Sequence, residues 1–418
     1  MTTMTATKAT LEIDSARLWA SLMAMAEIGK TEKGGSGRLT LTELDRQARQ
    51  LFARWCEEIG CTVSVDRIGN MFARREGKRP DLAPIAFGSH LDTQPKGGRF
   101  DGVLGVLAGL EVLRTLHDND IVTERPLLLV NWTNEEGSRF PPAMVASGVY
   151  AGEFTLDYIL SRTDRDGVTF GEALSAIGFD GDSPLGEPSF ARFFELHIEQ
   201  GPVLEEEGLD IGVVTGVQGM RWYDVTFTGQ AVHAGTTPLS YRHDALCAAA
   251  RLIDALTQHG LSHDPEAKIT FGELTIPASS RNVAPGEVQL SVDLRHVSTA
   301  RLDALECAFF DKLADAGKTY GVNVEQQCIW DSPVVVFDED NIASVEAAAQ
   351  ARGFGYRKMM SGAGHDAVYI SKIRPTSMIF VPCLNGISHN EAEYASPEQC
   401  AKGAQVLCDV VIDHGQRC

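Results

Sequence analysis

The sequence has little positive charge: 37 lysine and arginine residues stand against 57 aspartate and glutamate residues, giving a formal net charge of −20. A surface that binds nucleic acid or anionic lipid needs clustered cations, because both of these partners are polyanions. We therefore expect neither nucleic acid nor a membrane among the partners of this protein.

Long apolar runs and paired cysteines are also lacking. No apolar run approaches the roughly 20 residues of a membrane-spanning helix. The first residues, MTTMTATKATLEIDSARLW, do not combine a cationic start with an apolar core and a cleavage site, as secretory signals do. The nine cysteines form no CxxC pair, which is typical of reduced, mostly buried thiols. We predict a cytoplasmic protein without a disulfide framework or a thiolate zinc site.

The length of 418 residues exceeds what one hydrophobic core usually supports, so we expect two domains. Up to about residue 211, short apolar runs alternate with amphipathic stretches, which is typical of an α/β domain with a mostly parallel or mixed sheet. Residues 212–328 instead follow the order β-α-β-β-α-β of a ferredoxin-like α+β domain. The sequence therefore predicts one discontinuous α/β domain, residues 1–211 and 329–418, with residues 212–328 inserted.

Polar, titratable residues directly follow four short apolar runs of the predicted α/β domain. The runs are Ile85 to Phe87, Leu127 to Trp132, Phe193 to Ile198 and Met378 to Val381. The polar segments are GSHLDT, TNEEGSR, EQG beside His197, and PCLNGISHNE. Because ligand crevices in open α/β sheets lie at the carboxyl ends of strands, we expect these segments to share one site.

The side chains expected in this crevice are His90, Asp101, Glu135, Glu136, His197 and His389. Taken alone, His90 could be a hydrogen-bonded histidine at a strand end, and Asp101 could cap the helix predicted after it. Together, however, so many carboxylates and imidazoles would repel and desolvate one another without cations. The presence of all six side chains in one crevice therefore favours a metal centre.

Imidazole and carboxylate ligands suit zinc, manganese, cobalt or nickel. A carboxylate that bridges two such ions, about 3.5 Å apart, lets them hold a water and lower its pKa toward neutrality. Of two adjacent glutamates, only one is expected to face a given ion, which leaves the other as a general base. This chemistry hydrolyses unreactive carbonyl compounds.

The order of these residues resembles the M20-type metallohydrolases over nearly the whole chain. The motifs that carry the resemblance are GSHLDT, GGRFDGVLGVLAGL, NEEGSRF, ELHIEQGPVLE, HAGTTP, SGAGHDA and SHNE. They are most similar to the amidase, hydantoinase and carbamoylase branch. The resemblance implies a mixed-sheet di-metal domain, an inserted ferredoxin-like dimerisation domain, and hydrolysis of C–N bonds in N-carbamoyl amino acids. Allantoate or ureidoglycolate are the alternative substrates, and a peptidase or a non-catalytic small-molecule binder is less favoured.

The resemblance also implies the ligands of two divalent ions, for which we expect zinc, with manganese, cobalt or nickel as alternatives. One ion would be held by His90, Asp101 and His197. The other would be held by Asp101, Glu136 and His389. Asp101 is then the bridge, Glu135 is the general base, and Asp92 would hydrogen-bond His90 and orient its ring. Peptidases of the larger family commonly carry a carboxylate in place of His197, which favours the carbamoylase branch.

Substrate contacts are implied for Gln218, His233, Asn282, Arg295 and Gly364. Arg295 and Asn282 would bind a substrate carboxylate, and His233 would stabilise the oxyanion of the tetrahedral intermediate. The alternatives are a surface ion pair for Arg295 and a structural hydrogen bond for His233. Related dimeric enzymes supply this histidine from the partner subunit, so we expect a homodimer.

Three further residues are candidates for supporting the ligands: Glu195, Glu199 and His365. The two glutamates flank His197 at alternating strand positions and should share its face. His365 lies in SGAGHDA, which lacks the spacing and the lysine of a phosphate-binding P-loop.

Overall fold

The computed structural model describes residues 11–264, 266–278 and 280–418. The chain forms two compact units, Met1–Gly216 with Phe337–Cys418, and Val217–Val336. The first boundary lies beyond the expected residue 211 because the strand Ile211–Val217 still pairs within the sheet of the first unit. The second lies beyond the expected residue 328 because the strand Asn323–Ser332 still pairs within the sheet of the second unit.

The described residues form 16 strands, 12 α-helices and two short 3-10 helices. The strands are β1 (Thr62–Val65), β2 (Met71–Arg75), β3 (Ile85–His90), β4 (Leu127–Trp132), β5 (Arg192–Ile198), β6 (Ile211–Val217), β7 (Gly219–Thr228), β8 (Val232–His233), β9 (Lys268–Thr270), β10 (Leu274–Thr275), β11 (Val283–Ala284), β12 (Glu287–His296), β13 (Asn323–Ser332), β14 (Val335–Val336), β15 (Tyr356–Ser361) and β16 (Thr376–Val381). The helices are α1 (Ser15–Ala26), α2 (Glu43–Glu57), α3 (Val103–Asp118), α4 (Val145–Tyr150), α5 (Leu156–Leu160), α6 (Phe170–Ile177), α7 (Val203–Glu206), α8 (Ala245–His263), α9 (Thr299–Tyr320), α10 (Glu339–Ala351), α11 (Ala367–Ile370) and α12 (Pro397–Gly415), with short 3-10 helices at Leu239–Tyr241 and Leu384–Gly386.

One mixed sheet forms the centre of the first unit. Its strand order is β1-β2-β4-β3-β5-β16-β6, and β15 pairs with β6. Strand β3 runs parallel to both β4 and β5, and β5 runs parallel to β16. The four apolar runs identified in the sequence are therefore neighbouring parallel strands, and the polar segments that follow them leave the sheet at the same edge.

Burial explains why these strands are apolar along their whole length. Every residue of β3, β4 and β16 is buried, as expected for parallel strands covered on both faces. Helices α3 and α12 pack against the central strands and against each other. Helix α12 begins with a capping box formed by Ser396 and Gln399 and has Pro397 at its first position, which favours a helix start there.

The second unit has the predicted ferredoxin-like topology. Its antiparallel sheet has the order β13-β7-β12, and both β9 and β10 pair with β12. Helices α8 and α9 pack against this sheet through a core of apolar side chains that includes Phe227, Leu252, Val292 and Phe309. Two details were not predicted: the segment KITFGELT is divided into β9 and β10, and β8 pairs with β11 in a separate two-stranded ribbon.

The described residues include no helix long and apolar enough to cross a membrane. The nine cysteines are free thiols, and five of them are buried.

Candidate metal centre

The structure brings together all five predicted metal ligands and the predicted base at one edge of the first sheet. They are His90 at the end of β3, Asp101 before α3, Glu135 and Glu136 after β4, His197 in β5, and His389 after β16. The possible ligand atoms of His90, Asp101 and His197 lie within 4.8 Å of one another. The same holds for Asp101, Glu136 and His389, so Asp101 belongs to both groups.

Three buried side chains form the first group. Nε2 of His197 lies 3.0 Å from Oδ1 of Asp101, and Nε2 of His90 lies 3.6 Å from the same oxygen. Nδ1 of His90 donates to the main-chain oxygen of Asp92, and Nδ1 of His197 donates to that of Ile198, both at 2.9 Å. Because a carbonyl oxygen only accepts, each Nδ1 carries the proton and each Nε2 of the neutral rings presents a lone pair to Asp101.

A nitrogen lone pair opposite a carboxylate oxygen is repulsive unless a proton or a metal ion lies between them. Nε2 of His90 is buried and has no hydrogen-bond partner in the part of the chain that the structure describes. It also faces Oε2 of Glu135 at 3.4 Å. Imidazole nitrogen and carboxylate oxygen are ligands of divalent transition metals, so the residues present fit a metal ion.

The second group is more open. Nε2 of His389 lies 3.4 Å from Oδ2 of Asp101 and 3.4 Å from Oε2 of Glu136. The His389 side chain is 53% exposed, and its backbone is left-handed with φ 53°. A non-glycine residue in this region is uncommon and is retained where the surroundings hold it. Glu136 is fixed by Gln94, whose main-chain and side-chain nitrogens donate to it at 3.1 and 2.6 Å.

The electrostatics of the site follow from burial and from the mixture of charges. Burial opposes a charge on His90, but the carboxylates of Glu135 and Asp101 raise the pKa of His90 well above its usual range. Burial likewise opposes ionisation of Asp101, yet the imidazoles of His197 and His90 hold the pKa of Asp101 well below its usual range. Burial and the nearby carboxylates raise the pKa of Glu135 and of Glu136. A bound cation would favour the ionised carboxylates instead.

Asp92 contacts both His90 and the segment that carries the two glutamates. Asp92 was expected to hydrogen-bond His90, and its main-chain oxygen does so, whereas Oδ1 of Asp92 lies 3.9 Å from Nδ1 of His90. The carboxylate oxygens instead accept the main-chain N–H groups of Glu135 and Glu136, at 3.3 Å each. Asp92 therefore positions the segment after β4.

A buried arginine holds the end of β3. Nε of Arg38 donates to the main-chain oxygen of Leu91 at 2.8 Å, and the main chains of Arg38 and Thr93 are joined by a 2.9 Å bond. Its NH1 group also donates to the main-chain oxygens of Met25 and Ile28. Burial lowers the pKa of Arg38 to about 10, so it is a cation at neutral pH. Nothing in the sequence pattern marked this residue.

Four more polar residues surround Asp101 and Glu136 that sequence analysis did not single out: Gln94, Gln200, Ser388 and Glu393. Nε2 of Gln200 and Oγ of Ser388 each lie 2.8 Å from Oδ2 of Asp101. Glu393 accepts the main-chain N–H groups of Phe100 and Asp101, and burial raises the pKa of Glu393 to about 7. Gln200 and Ser388 lie inside the motifs HIEQG and SHNE, which was the available signal; Glu393 lies outside them.

The candidate supporting residues divide into two groups. Glu195 accepts a hydrogen bond from Oγ of Ser89 at 2.6 Å, and the ring centroid of His365 lies 4.6 Å from that of His197. Burial lowers the pKa of His365 well below its usual range. Glu199 instead accepts two main-chain N–H groups at the start of α7. Glu195 and His365 therefore lie around the first metal group, whereas Glu199 caps a helical turn.

His233 and Asn282 are joined by the ribbon of β8 and β11 in the second unit. The main-chain oxygen of Asn282 accepts from Ala234, directly after His233. Nδ1 of the exposed His233 accepts the main-chain N–H groups of Gly235 and Thr236, at 3.0 and 3.2 Å. This is the structural hydrogen bond considered as the alternative, and it places the proton of the neutral ring on Nε2. The ring is therefore a donor at Nε2.

Arg295 and Gln218 lie in the same unit and share a lysine neighbour. Nε and the NH2 group of Arg295 both donate to Oδ2 of Asp293, at 2.9 and 2.8 Å, two residues earlier on its own strand. Oε1 of Gln218 accepts from Nζ of Lys268 at 2.9 Å, and Lys268 lies opposite Arg295 across β9 and β12. Burial and the charge of Arg295 lower the pKa of Lys268. Lys268 is thus a second cation here, which sequence analysis missed.

Glycines permit two close approaches in the first unit. Gly102, with φ 66°, follows Asp101, and a Cβ there would lie 2.2 Å from Nε2 of His90. Its N–H group lies 3.0 Å from Nε2 of His197, in keeping with a lone pair on that nitrogen. Gly364, between β15 and α11, lies against Met144.

Residues 86–413 match the model of the family described as Peptidase family M20/M25/M40. The chain is 45% identical to an N-carbamoyl-L-amino-acid amidohydrolase of Rhizobium meliloti over 96% of each chain. It is 37% identical to an N-carbamoyl-L-amino acid amidohydrolase of Geobacillus stearothermophilus over 96% of this chain and 98% of that one. A crystal structure of an amidase of the hydantoinase/carbamoylase family from Burkholderia multivorans superposes with a TM-score of 0.93 and 51% identity, covering 97% of this chain and 99% of the other.

Replacing Gly102 with alanine should weaken metal binding at the first group. The added Cβ would meet His90 at 2.2 Å, so the ring must move from its ligand position, and affinity for the ion should fall by at least about tenfold. Metal content after dialysis against graded chelator measures this. Gly60→Ala is the matched control, because Gly60 also has a positive φ of 79° but nothing lies within 4 Å of its Cβ position. Equal metal content in both variants would contradict the prediction.

Proposed function

Because the chain belongs to Peptidase family M20/M25/M40, we propose that it hydrolyses N-carbamoyl-L-amino acids to the amino acid, carbon dioxide and ammonia. The observation that carries the proposal is the pair of ligand groups that share Asp101. The relatives of matching length that are named as N-carbamoyl-L-amino-acid amidohydrolases support this substrate class. Allantoate and ureidoglycolate are the alternative substrates, and a peptide is less favoured.

Two divalent ions, zinc or alternatively manganese, cobalt or nickel, would be held by the two ligand groups. Nε2 of His90, which is buried and has no hydrogen-bond partner among the described residues, supports this assignment, as does the presence of Asp101 in both ligand groups. Bound ions would supply Lewis acidity to the substrate carbonyl and to a water molecule.

Glu135 is assigned as the general base. It belongs to neither ligand group, although its Oε2 lies 3.4 Å from Nε2 of His90. Its neighbour Glu136 is held by Gln94 and faces His389, so the two adjacent glutamates have different environments. The Glu135 carboxylate accepts a proton from the attacking water and returns it to the departing nitrogen. Burial, which raises the pKa of Glu135, suits a group that must bind and release that proton.

The second unit would bind the carboxylate and the oxyanion of the substrate. An arginine has five N–H donors in a planar fork, and Arg295 has Lys268 beside it as a second cation. Asn282 and Gln218 would complete the carboxylate contacts, and Nε2 of His233 would donate to the oxyanion. Gly364 would line the pocket.

We further propose a homodimer in which His233 of each subunit completes the site of its mate. The His233 side chain is exposed and already held through Nδ1, which leaves Nε2 as the donor toward a substrate. Strand β13 lies at an edge of the second sheet and is mostly exposed. Such edges pair readily with a second copy of the same chain.

Removal of metal should abolish hydrolysis, and zinc, manganese, cobalt or nickel should restore it. Full activity of the metal-free protein would contradict the mechanism.

Glu135→Gln keeps the size of the side chain but cannot accept a proton, so kcat should fall by about 10²- to 10⁴-fold while metal content stays at the wild-type level. Glu136→Gln is the matched control and should lose metal from the second group. Loss of metal in Glu135→Gln would show instead that Glu135 is the metal ligand and Glu136 is the general base.

Ammonia release from N-carbamoyl-L-amino acids, carbamoyl-β-alanine, allantoate and ureidoglycolate, together with release of free amino acids from dipeptides, tests the substrate class. Arg295→Ala should cost roughly 2 kcal/mol of transition-state binding free energy, measured as a fall in kcat/KM, for a substrate with a carboxylate. The loss should be much smaller for a carbamoyl compound without a carboxylate. Arg221→Ala is the control, since Arg221 makes ion pairs with Asp303, Glu306 and Asp331 in the same unit. An equal loss for both compounds would show that Arg295 is structural.

Mixed dimers test the assignment of His233 to the partner's site. Subunits with Glu135→Ala and subunits with His233→Ala should each be inactive as homodimers. In a mixed dimer, trans assignment gives one site both lesions and the other site neither, so activity should return at one site per dimer. If verified mixed dimers of folded, metal-loaded parents stay inactive, His233 serves its own subunit.

A further inference from the structure

Asp101 and His389 lie on separate segments, and one buried glutamate contacts both segments. Glu393 is 1% exposed. Its Oε1 accepts the main-chain N–H groups of Phe100 and Asp101, each at 3.0 Å. Its Oε2 lies 3.0 Å from Oγ of Ser388, the residue before His389. Glu393 therefore joins the segment that carries the bridging ligand to the segment that carries the most exposed ligand.

The segment before Asp101 is shaped to receive this glutamate. A Cβ at Gly98 would lie 2.0 Å from the carboxyl group of Glu393, so only glycine leaves room for it at this position. The carboxylate is thus enclosed by the segment that precedes Asp101. Within that segment the carboxylate of Glu393 accepts main-chain N–H groups, and these hydrogen bonds fix the position of the Asp101 backbone.

Ser388 transmits the position of Glu393 to one oxygen of Asp101. Its hydroxyl lies 2.8 Å from Oδ2 of Asp101 and 3.0 Å from Oε2 of Glu393, and Gln200 donates to the same Oδ2 at 2.8 Å. Oδ2 is also the oxygen that faces Nε2 of His389 at 3.4 Å. The orientation of this oxygen in the second ligand group therefore depends on Ser388, which Glu393 holds.

The first ligand group is held by other contacts. It uses Oδ1 of Asp101, and the rings of His90 and His197 are oriented by the main-chain oxygens of Asp92 and Ile198. The ring of His389 is half exposed and its backbone is left-handed. Loss of Glu393 should consequently affect the second group far more than the first.

We propose that Glu393 is a positioning residue that holds Asp101 and His389 together and thereby determines the occupancy of the second metal position. The inference rests on the proposed metal centre, but not on the identity of the substrate. It predicts that the two positions respond differently to one substitution of a residue that is not itself a metal ligand.

The test is metal titration of Glu393→Ala. Metal-free protein is titrated with zinc, and bound zinc per chain is measured by mass spectrometry of the metal at each free concentration. Wild type should bind two ions. In Glu393→Ala, affinity for one ion should fall by about 10- to 100-fold, while the other ion binds as in wild type. Ser388→Ala, which removes only one arm of the contact, should show a smaller loss at the same position.

Two control variants separate positioning from general loss of stability. In Glu393→Gln the amide oxygen can accept both main-chain N–H groups and the NH2 group can donate to Ser388, so this variant should retain the second ion. Glu111→Gln alters an equally buried glutamate in α3 that contacts Arg17 and Thr115, and it should lower the thermal midpoint without changing the zinc stoichiometry.

The inference is overturned if Glu393→Ala binds two ions as tightly as wild type, or if both ions weaken together. It is also overturned if Glu111→Gln loses the same ion, since the effect would then follow stability. A selective loss of one ion in a protein that hydrolyses no carbamoyl compound would support the positioning role and refute the proposed substrate, so the two failures are distinguishable.

Discussion

Buried negative charge at one edge of a sheet is the constraint on which the rest of the first unit depends. Asp101 directs one oxygen at two imidazoles and the other at a third, and Glu135 and Glu136 lie beside it. Buried charges are tolerated only when paired and hydrogen-bonded. Gln94 and Ser388 provide such hydrogen bonds, because they donate to the carboxylates of Glu136 and Asp101. A cation bound there would offset the repulsion that the fold creates, so cation binding would stabilise the folded state.

The ligands could be predicted from the sequence because four of the five lie within or shortly after apolar runs, and Asp101 precedes an apolar helix. Four buried parallel strands read as apolar segments, and their carboxyl ends meet at one edge whatever the details of the loops. The motifs of the family then assigned roles within that set. The ferredoxin-like order of the second unit could also be predicted, because apolar residues recur at different intervals along its helices and its long strands.

The supporting contacts could not be predicted in the same way. The role of Asp92 passes through its carboxylate to the backbone of another loop, and Glu393 accepts from main-chain groups almost 300 positions earlier. Such contacts depend on where two distant backbones come together, which no local pattern encodes. The Asp293 partner of Arg295 is a different case, since residues two apart on a strand share a face and the pair was open to prediction.

The position of β16 has a consequence for how the protein is made. In the sheet, β16 separates β5 from β6, yet it is synthesised only after the whole second unit. A nascent chain emerges from its amino terminus onward, so the edge of β5 that pairs with β16 can be completed only after residues 217–336 have been synthesised. His389 emerges later still. A cation captured by the growing chain would meet His90, Asp101 and His197 first, and loading of the centre is completed only after the last strand has entered the sheet.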